Sequence, residues 1–200
     1  MEVQRAISDL AEVRERLAAL QRFHGYSGVA AAASGLLAFA AAYLQLQVAP
    51  APRTGAEQHG YITIWLTCLA LALVLNYGAV VVWVFRNHGP RAQSQFRSAA
   101  LTIAPSIFLG GVLSVALVDH AAYTLLPGTW FACYAIGLFA SRDMLPKRTM
   151  IVTSAFAALA LAFLLTPLEA VALAWWVMAL GFGCGQIGIG YFILRDEARS

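Results

Sequence analysis

Six apolar runs, each about as long as a bilayer's hydrocarbon core is thick, constrain this chain more than any other feature. They are Gly25–Leu46, Tyr61–Phe85, Ala99–Val118, Ala121–Ala140, Met150–Thr166 and Leu168–Leu194. A helix needs roughly 20 mostly apolar residues to cross about 30 Å of hydrocarbon. The predicted fold is therefore all-α: a polytopic membrane protein with six transmembrane helices. Composition agrees, with 60% hydrophobic residues, 12% charged residues and a mean hydropathy of +0.71 over 200 residues. Soluble domains average about 45–50% apolar and about 25% charged. The second and sixth runs are long enough to tilt or to project beyond the bilayer. Leu126-Pro127-Gly128 interrupts the fourth run, and because proline suits a first helical turn the helix is expected to begin near Pro127.

The positions of the cations set the expected orientation. Arg5, Arg14, Arg16, Arg22, Arg86, Arg91, Arg97, Arg142, Lys147, Arg148, Arg195 and Arg199 all fall on one side of a six-crossing arrangement, and Arg53 alone falls on the other. Loops rich in Lys and Arg are retained in the cytoplasm during insertion. Both termini are thus expected inside, in the inner (cytoplasmic) membrane of a bacterium. The first 20 residues are charged throughout and lack an apolar core run, so no cleaved signal is expected.

Two domains are read along the chain. Residues 1–22 form a cytoplasmic amphipathic helix and residues 23–200 form the transmembrane domain. In the first, Val3, Ala6, Leu10, Val13, Leu17 and Leu20 recur at alternating spacings of three and four and share one helical stripe. Glu2, Asp9, Glu12, Glu15, Arg5, Arg16 and Arg22 lie opposite, with acid and base nearly balanced. A helix built for anionic lipid is rich in Lys and Arg. This stripe (Val3, Leu10, Val13, Leu17 and Leu20) therefore reads as a surface for another protein. The partner could be a cytoplasmic protein, a second copy of the chain, or the chain's own loops. The Pro- and Gly-rich loop "VAPAPRTGAEQHG" (Val48–Gly60) is expected to be irregular, and the polar, basic loop "RNHGPRAQSQFR" (Arg86–Arg97) is expected to be a cytoplasmic connection.

Within "GFGCGQIGIG" (Gly181–Gly190) the residues Gly183 to Gly188 spell G-x-G-x-x-G, the pattern of a dinucleotide-binding turn. That turn works only between a strand and a helix, with an acidic residue about 20 positions later. Here it is embedded in an unbroken apolar run that ends near the last residue, so the nucleotide reading fails. Small residues in membrane helices let backbones approach closely. Gly181, Gly185 and Gly188 share one helical face, and Gly183, Gln186 and Gly190 share another. Both faces point to helix packing, with the last helix between neighbours.

Asn76 and Gln186 are the two amides read as lying well inside helices. Each could make an interhelical hydrogen bond, or the two together could line a polar cavity. Cys68, Cys133 and Cys184 lie in three different apolar runs without ligand spacing. His24 and His88 fall near the basic side, whereas His59 and His120 fall near the other, beside Glu57, Asp119 and Glu169. If the bundle brought Glu57, His59, Asp119, His120 and Glu169 together they could bind a divalent metal or act as acid and base, a third reading. None forms a recognisable motif, so no catalytic residue, metal or cofactor is expected. Nor is there a basic patch with interleaved aromatics, so no nucleic-acid partner is expected.

Three segments resemble, in order along the chain, a bacterial family of small six-helix integral membrane proteins with no known activity. They are "RFHGYSGVAAAASGLLAFAAAYLQ" (Arg22–Gln45), the Leu-Pro-Gly-x-Trp segment "LLPGTWFACYAIGLFASRDMLPK" (Leu125–Lys147) and the Gly-Phe-Gly-x-Gly-Gln segment "MALGFGCGQ" (Met178–Gln186). The resemblance implies the six-helix fold and brings no active-site residue with it. His24 stands where that family often has a basic residue. The functional expectation is a non-enzymatic membrane protein whose N-terminal helix docks a partner or self-associates. The alternative is a small transporter or channel for a neutral or apolar solute.

Overall fold

The computed structural model describes residues 26–86, 90–166 and 168–199, and among these no strand occurs. The amphipathic segment and its stripe (Val3, Leu10, Val13, Leu17 and Leu20) lie outside the described residues, as do His24 and His88.

Helix α1 spans Gly28–Val48, α2 Gly55–Arg86, α3 Pro90–Asp119 and α4 Leu126–Ala140. Helix α5 spans Thr149–Leu165, and α6 spans Trp175–Glu197 with a π-helical segment at Ala179–Gly183. Five stretches are long and apolar enough to cross a membrane: α1, α2, Phe96–Asp119 of α3, Tyr123–Ala140 (a 3-10 turn continued by α4) and α6; α5, with 17 residues, is a shorter apolar helix.

Local chemistry sets the ends, and three of them depart from the sequence expectation. The loop expected over Val48–Gly60 turns helical at Gly55 because Thr54 and Glu57 form a capping box. The Glu57 carboxylate accepts from the backbone N–H of Arg53 (2.8 Å) and Thr54 (3.1 Å), and the Thr54 hydroxyl accepts from the N–H of Glu57 (3.4 Å). The loop expected over Arg86–Arg97 is helical from Pro90 onward, where proline's fixed φ suits a first turn. The run Leu168–Leu194 is not one helix. A single turn, Glu169–Ala172, is followed by extended backbone at Ala174 (φ −63°, ψ 142°) before α6 begins. Helix α4 starts at Leu126, directly after a 3-10 turn at Tyr123–Leu125, with Pro127 in its first turn. That agrees with the expected start.

The helices pack in the order α2, α1, α6, α5, α4, α3, each against the next, and α2 meets α3 only sparsely. Near the basic end that seam is held by Val80 and Ala99, with Trp83, Phe96 and Met144 packed against them. Toward the other end α2 instead reaches α4, where the Tyr61 and Trp130 rings stack at 6.1 Å with 1° between planes. Helices α1 and α6 run antiparallel, since Gly28 lies against Gly190 and Leu194 while Gly35 lies against Gly183 and Ile187. The start of α1 and the end of α6 therefore share one end of the bundle.

Helix α3 meets α4 along a stripe of small residues spaced by four, Ser106, Gly110 and Ser114. Ser106 faces Gly137, Gly110 faces Cys133, and Ser114 faces Trp130. The outward faces are apolar: Val74 and Val82 on α2, Leu101, Phe108 and Val115 on α3, and Ile151 and Leu165 on α5 are all exposed. Helices apolar on both inner and outer faces belong in a membrane.

Candidate functional site

Among the hydrogen bonds that polar side chains make inside the bundle, three short chains join neighbouring helices and end on backbone carbonyls. The first joins α1, α2 and the break before α6. Gln45 is fully buried. Its Nε2 donates to the Leu173 carbonyl (2.8 Å) and the Ala49 carbonyl (3.3 Å), and its Oε1 accepts from Trp65 Nε1 (2.8 Å). The break at Leu173–Ala174 frees backbone groups that a continuous helix would pair. Gln45 takes one freed carbonyl, and the Pro50 carbonyl accepts from the Trp175 N–H at 3.0 Å. This satisfies, from elsewhere in the chain, a helix start that lacks a capping side chain.

The second chain holds Asn76. Its Nδ2 donates to the Ser34 hydroxyl (2.6 Å) and the Ala72 carbonyl (2.8 Å), and Ser34 in turn donates to the Ala30 carbonyl (2.9 Å). In the third, Trp130 Nε1 donates to the Ser114 hydroxyl (2.7 Å), which donates to the Gly110 carbonyl (2.6 Å). Tyr61 differs: its hydroxyl is buried with no hydrogen-bond partner among the described residues.

An aromatic nest surrounds the π segment. Phe182 stands 5.3 Å from Phe131, 5.2 Å from Tyr134 and 5.2 Å from Phe156, and Tyr134 meets Phe156 edge-on at 4.8 Å. Those separations are the favourable range for ring pairs. The glycines of α6 admit the rings. A methyl group at Gly181 would overlap the Phe131 ring, and one at Gly185 would lie 2.5 Å from Phe156 Cζ. Gly188 is less crowded, with Val152 Cγ2 at 3.3 Å. Gly183 faces Phe39 of α1, and Gly190 lies against the Gly28 carbonyl. One side of α6 thus packs on α4 and α5, and the other on α1.

The structure does not join the two amides singled out in the sequence. Asn76 bonds to α1, whereas Gln186 Nε2 donates to the Tyr134 hydroxyl of α4 at 2.6 Å. Sequence reasoning missed Gln45. It lies three residues from the end of α1, where a polar residue reads as an ordinary interfacial one, although Trp65 on the next helix offers a matching donor. Cys68 and Cys133 are buried and Cys184 is exposed. His59 and His120 bond to carbonyls of their own helices, Gly55 (2.6 Å) and Ala116 (2.8 Å). Among the described residues no three His, Cys, Asp or Glu side chains gather as a metal site.

No protein-family profile, curated protein or solved structure matches the chain. What can be said of function rests on its own geometry.

Proposed function

We propose that this chain is a non-enzymatic integral protein of a bacterial inner membrane. It crosses six times with both termini in the cytoplasm, and its amphipathic N-terminal segment docks a cytoplasmic protein or a second copy of the chain. One observation carries the preference for a docking protein over a conduit. The amide nitrogens of Gln45, Asn76 and Gln186 each donate to the protein's own groups, Gln45 and Asn76 to two acceptors and Gln186 to one. A bundle tied in this way holds its helices in place and leaves its ends for function.

Two features support the sixth crossing. Helix α5 is about 25 Å long at 1.5 Å per residue, close to the hydrocarbon thickness. It also runs antiparallel along α4, with Phe163 and Leu164 beside Gly128 and Phe156 beside Phe131. The segregation of Lys and Arg in the sequence supports the cytoplasmic placement of the basic end.

The test is affinity purification from the native host in gentle detergent, comparing the full chain, a version lacking Met1–Leu20, and Leu10→Glu plus Leu17→Glu. The docking reading expects a specific protein, or the second copy, to be retained by the full chain and lost from both variants. If partners and oligomeric state are the same in all three, the reading fails.

The alternative, a small transporter or channel for a neutral or apolar solute, draws on the sparse seam between α2 and α3. No residue of α2 between Leu69 and Ala79 is fully buried. Solute flux into proteoliposomes that Asn76→Leu abolishes would favour it, and absence of flux for a panel of small neutral solutes would discount it.

A further inference from the structure

At the basic end, the turn leading into α5 and the last turns of α6 border a half-open cavity of about 190 Å³. Lys147, Arg148, Arg195 and Arg199 line it, with Asp196 the one carboxylate and Phe192 an apolar wall. Arg195 is held in place: its guanidinium donates to the Tyr191 hydroxyl at 3.3 Å and lies over that ring at 5.9 Å. The first turn of α5 and the last turn of α6 meet here, so the partial charges of the two helix ends oppose each other. The side chains therefore decide the sign, which is strongly positive.

Retention of a loop during insertion needs only cations, in any arrangement. It does not need four of them around one cavity, where the single carboxylate of Asp196 offsets one charge and an entering anion would offset the rest. We propose that this cavity is a phosphate-binding site, taking the phosphate of an anionic lipid headgroup or free phosphate. Guanidinium groups match phosphate oxygens two at a time, and a lysine adds a compact charge. The site lies where α5 begins and α6 ends; in the proposed six-crossing arrangement that is the level of lipid phosphates, and basic pockets between helices at that level hold headgroups. Phe192 offers contact to the apolar part of a lipid. The site is independent of what the N-terminal segment binds.

The test uses the purified full chain in nanodiscs. One arm compares discs of phosphatidylcholine alone with discs containing phosphatidylglycerol, counting retained phosphatidylglycerol by native mass spectrometry and titrating its affinity. The second arm titrates inorganic phosphate into the neutral discs by ³¹P line broadening. In each arm the wild type is compared with Lys147→Gln/Arg148→Gln and with Arg86→Gln/Arg142→Gln, which removes the same charge from exposed positions outside the cavity. Arg199→Gln serves as a milder second variant.

Each cation near an anionic surface is worth roughly fivefold in affinity. Lys147→Gln/Arg148→Gln is therefore expected to weaken binding by about 25-fold and Arg199→Gln by about fivefold, and the outside pair by clearly less, because salt screens charges that do not touch the bound phosphate. Binding confined to phosphatidylglycerol discs assigns a lipid headgroup, and saturable binding of inorganic phosphate in neutral discs assigns the free anion. Equal losses for both double variants, or no saturable binding in either arm, overturn the proposal.

Discussion

The indole Nε1 of Trp65 donates to Oε1 of Gln45 across 2.8 Å, joining α2 to α1 at a position with no exposure to solvent. The same amide holds the Leu173 carbonyl where the chain breaks before α6. One side chain thus fixes two helices and a loop. Replacing Gln45 with Leu keeps the volume but takes the partner from the indole N–H and from the Leu173 and Ala49 carbonyls. Each such group costs about 1–3 kcal/mol. Thermal unfolding in detergent should show Gln45→Leu clearly destabilised. Trp65→Phe, added to it, should cost less than it does alone. Strictly additive losses would mean that the two groups do not interact.

Tyr61 supplies a prediction of opposite sign. Its ring stacks on Trp130 while its hydroxyl is buried without a hydrogen-bond partner among the described residues. Tyr61→Phe keeps the stack and removes the unpaired group, so it should stabilise the protein by about 1 kcal/mol. A lowered melting temperature would show that the hydroxyl has a partner, such as a bound water.

The glycines separate into two classes. At Gly181 and Gly185 an added methyl group meets the rings of Phe131 and Phe156, whereas at Gly78 and Gly111 it meets nothing within 4 Å. Gly181→Ala and Gly185→Ala should destabilise by about 1–3 kcal/mol, the usual range for overpacking. Gly78→Ala and Gly111→Ala should be neutral or stabilising by up to about 1 kcal/mol, because Ala is the better helix former. Phe131→Leu should restore part of the loss from Gly181→Ala. Equal effects at all four positions would remove the packing account of α6.

These residues also show what could be read from the sequence. Five of the six apolar runs were legible as helices of spanning length because hydropathy alone identifies them, whereas Met150–Thr166 forms a shorter apolar helix. The start of α4 was legible too, since Leu-Pro-Gly marks a first turn in any context. The beginning of α2 was legible in principle: Thr54 and Glu57 stand three apart, the spacing of a capping box, but the surrounding Pro and Gly obscured it. The break at Leu173–Ala174 carries no such mark. Neither residue is Gly or Pro, and the groups that stabilise the break, Gln45 and the Pro50 carbonyl, are more than 120 residues away in the chain. The same reason hid the separation of Asn76 from Gln186. Each amide is bonded to a different helix, and helix adjacency is a tertiary fact.

The central claim is a six-crossing chain with its basic end on one side, and cysteine accessibility tests it most directly. Cys68, Cys133 and Cys184 are replaced by Ala, and single cysteines are placed as Arg53→Cys, Arg142→Cys, Thr166→Cys and Arg199→Cys. Spheroplasts are then treated with a membrane-impermeant maleimide, before and after lysis. The account predicts labelling at positions 53 and 166 in intact spheroplasts, and at 142 and 199 only after lysis. If position 166 is protected along with 142, α5 does not cross and the six-crossing arrangement is wrong. If position 199 is labelled from outside, the orientation is wrong.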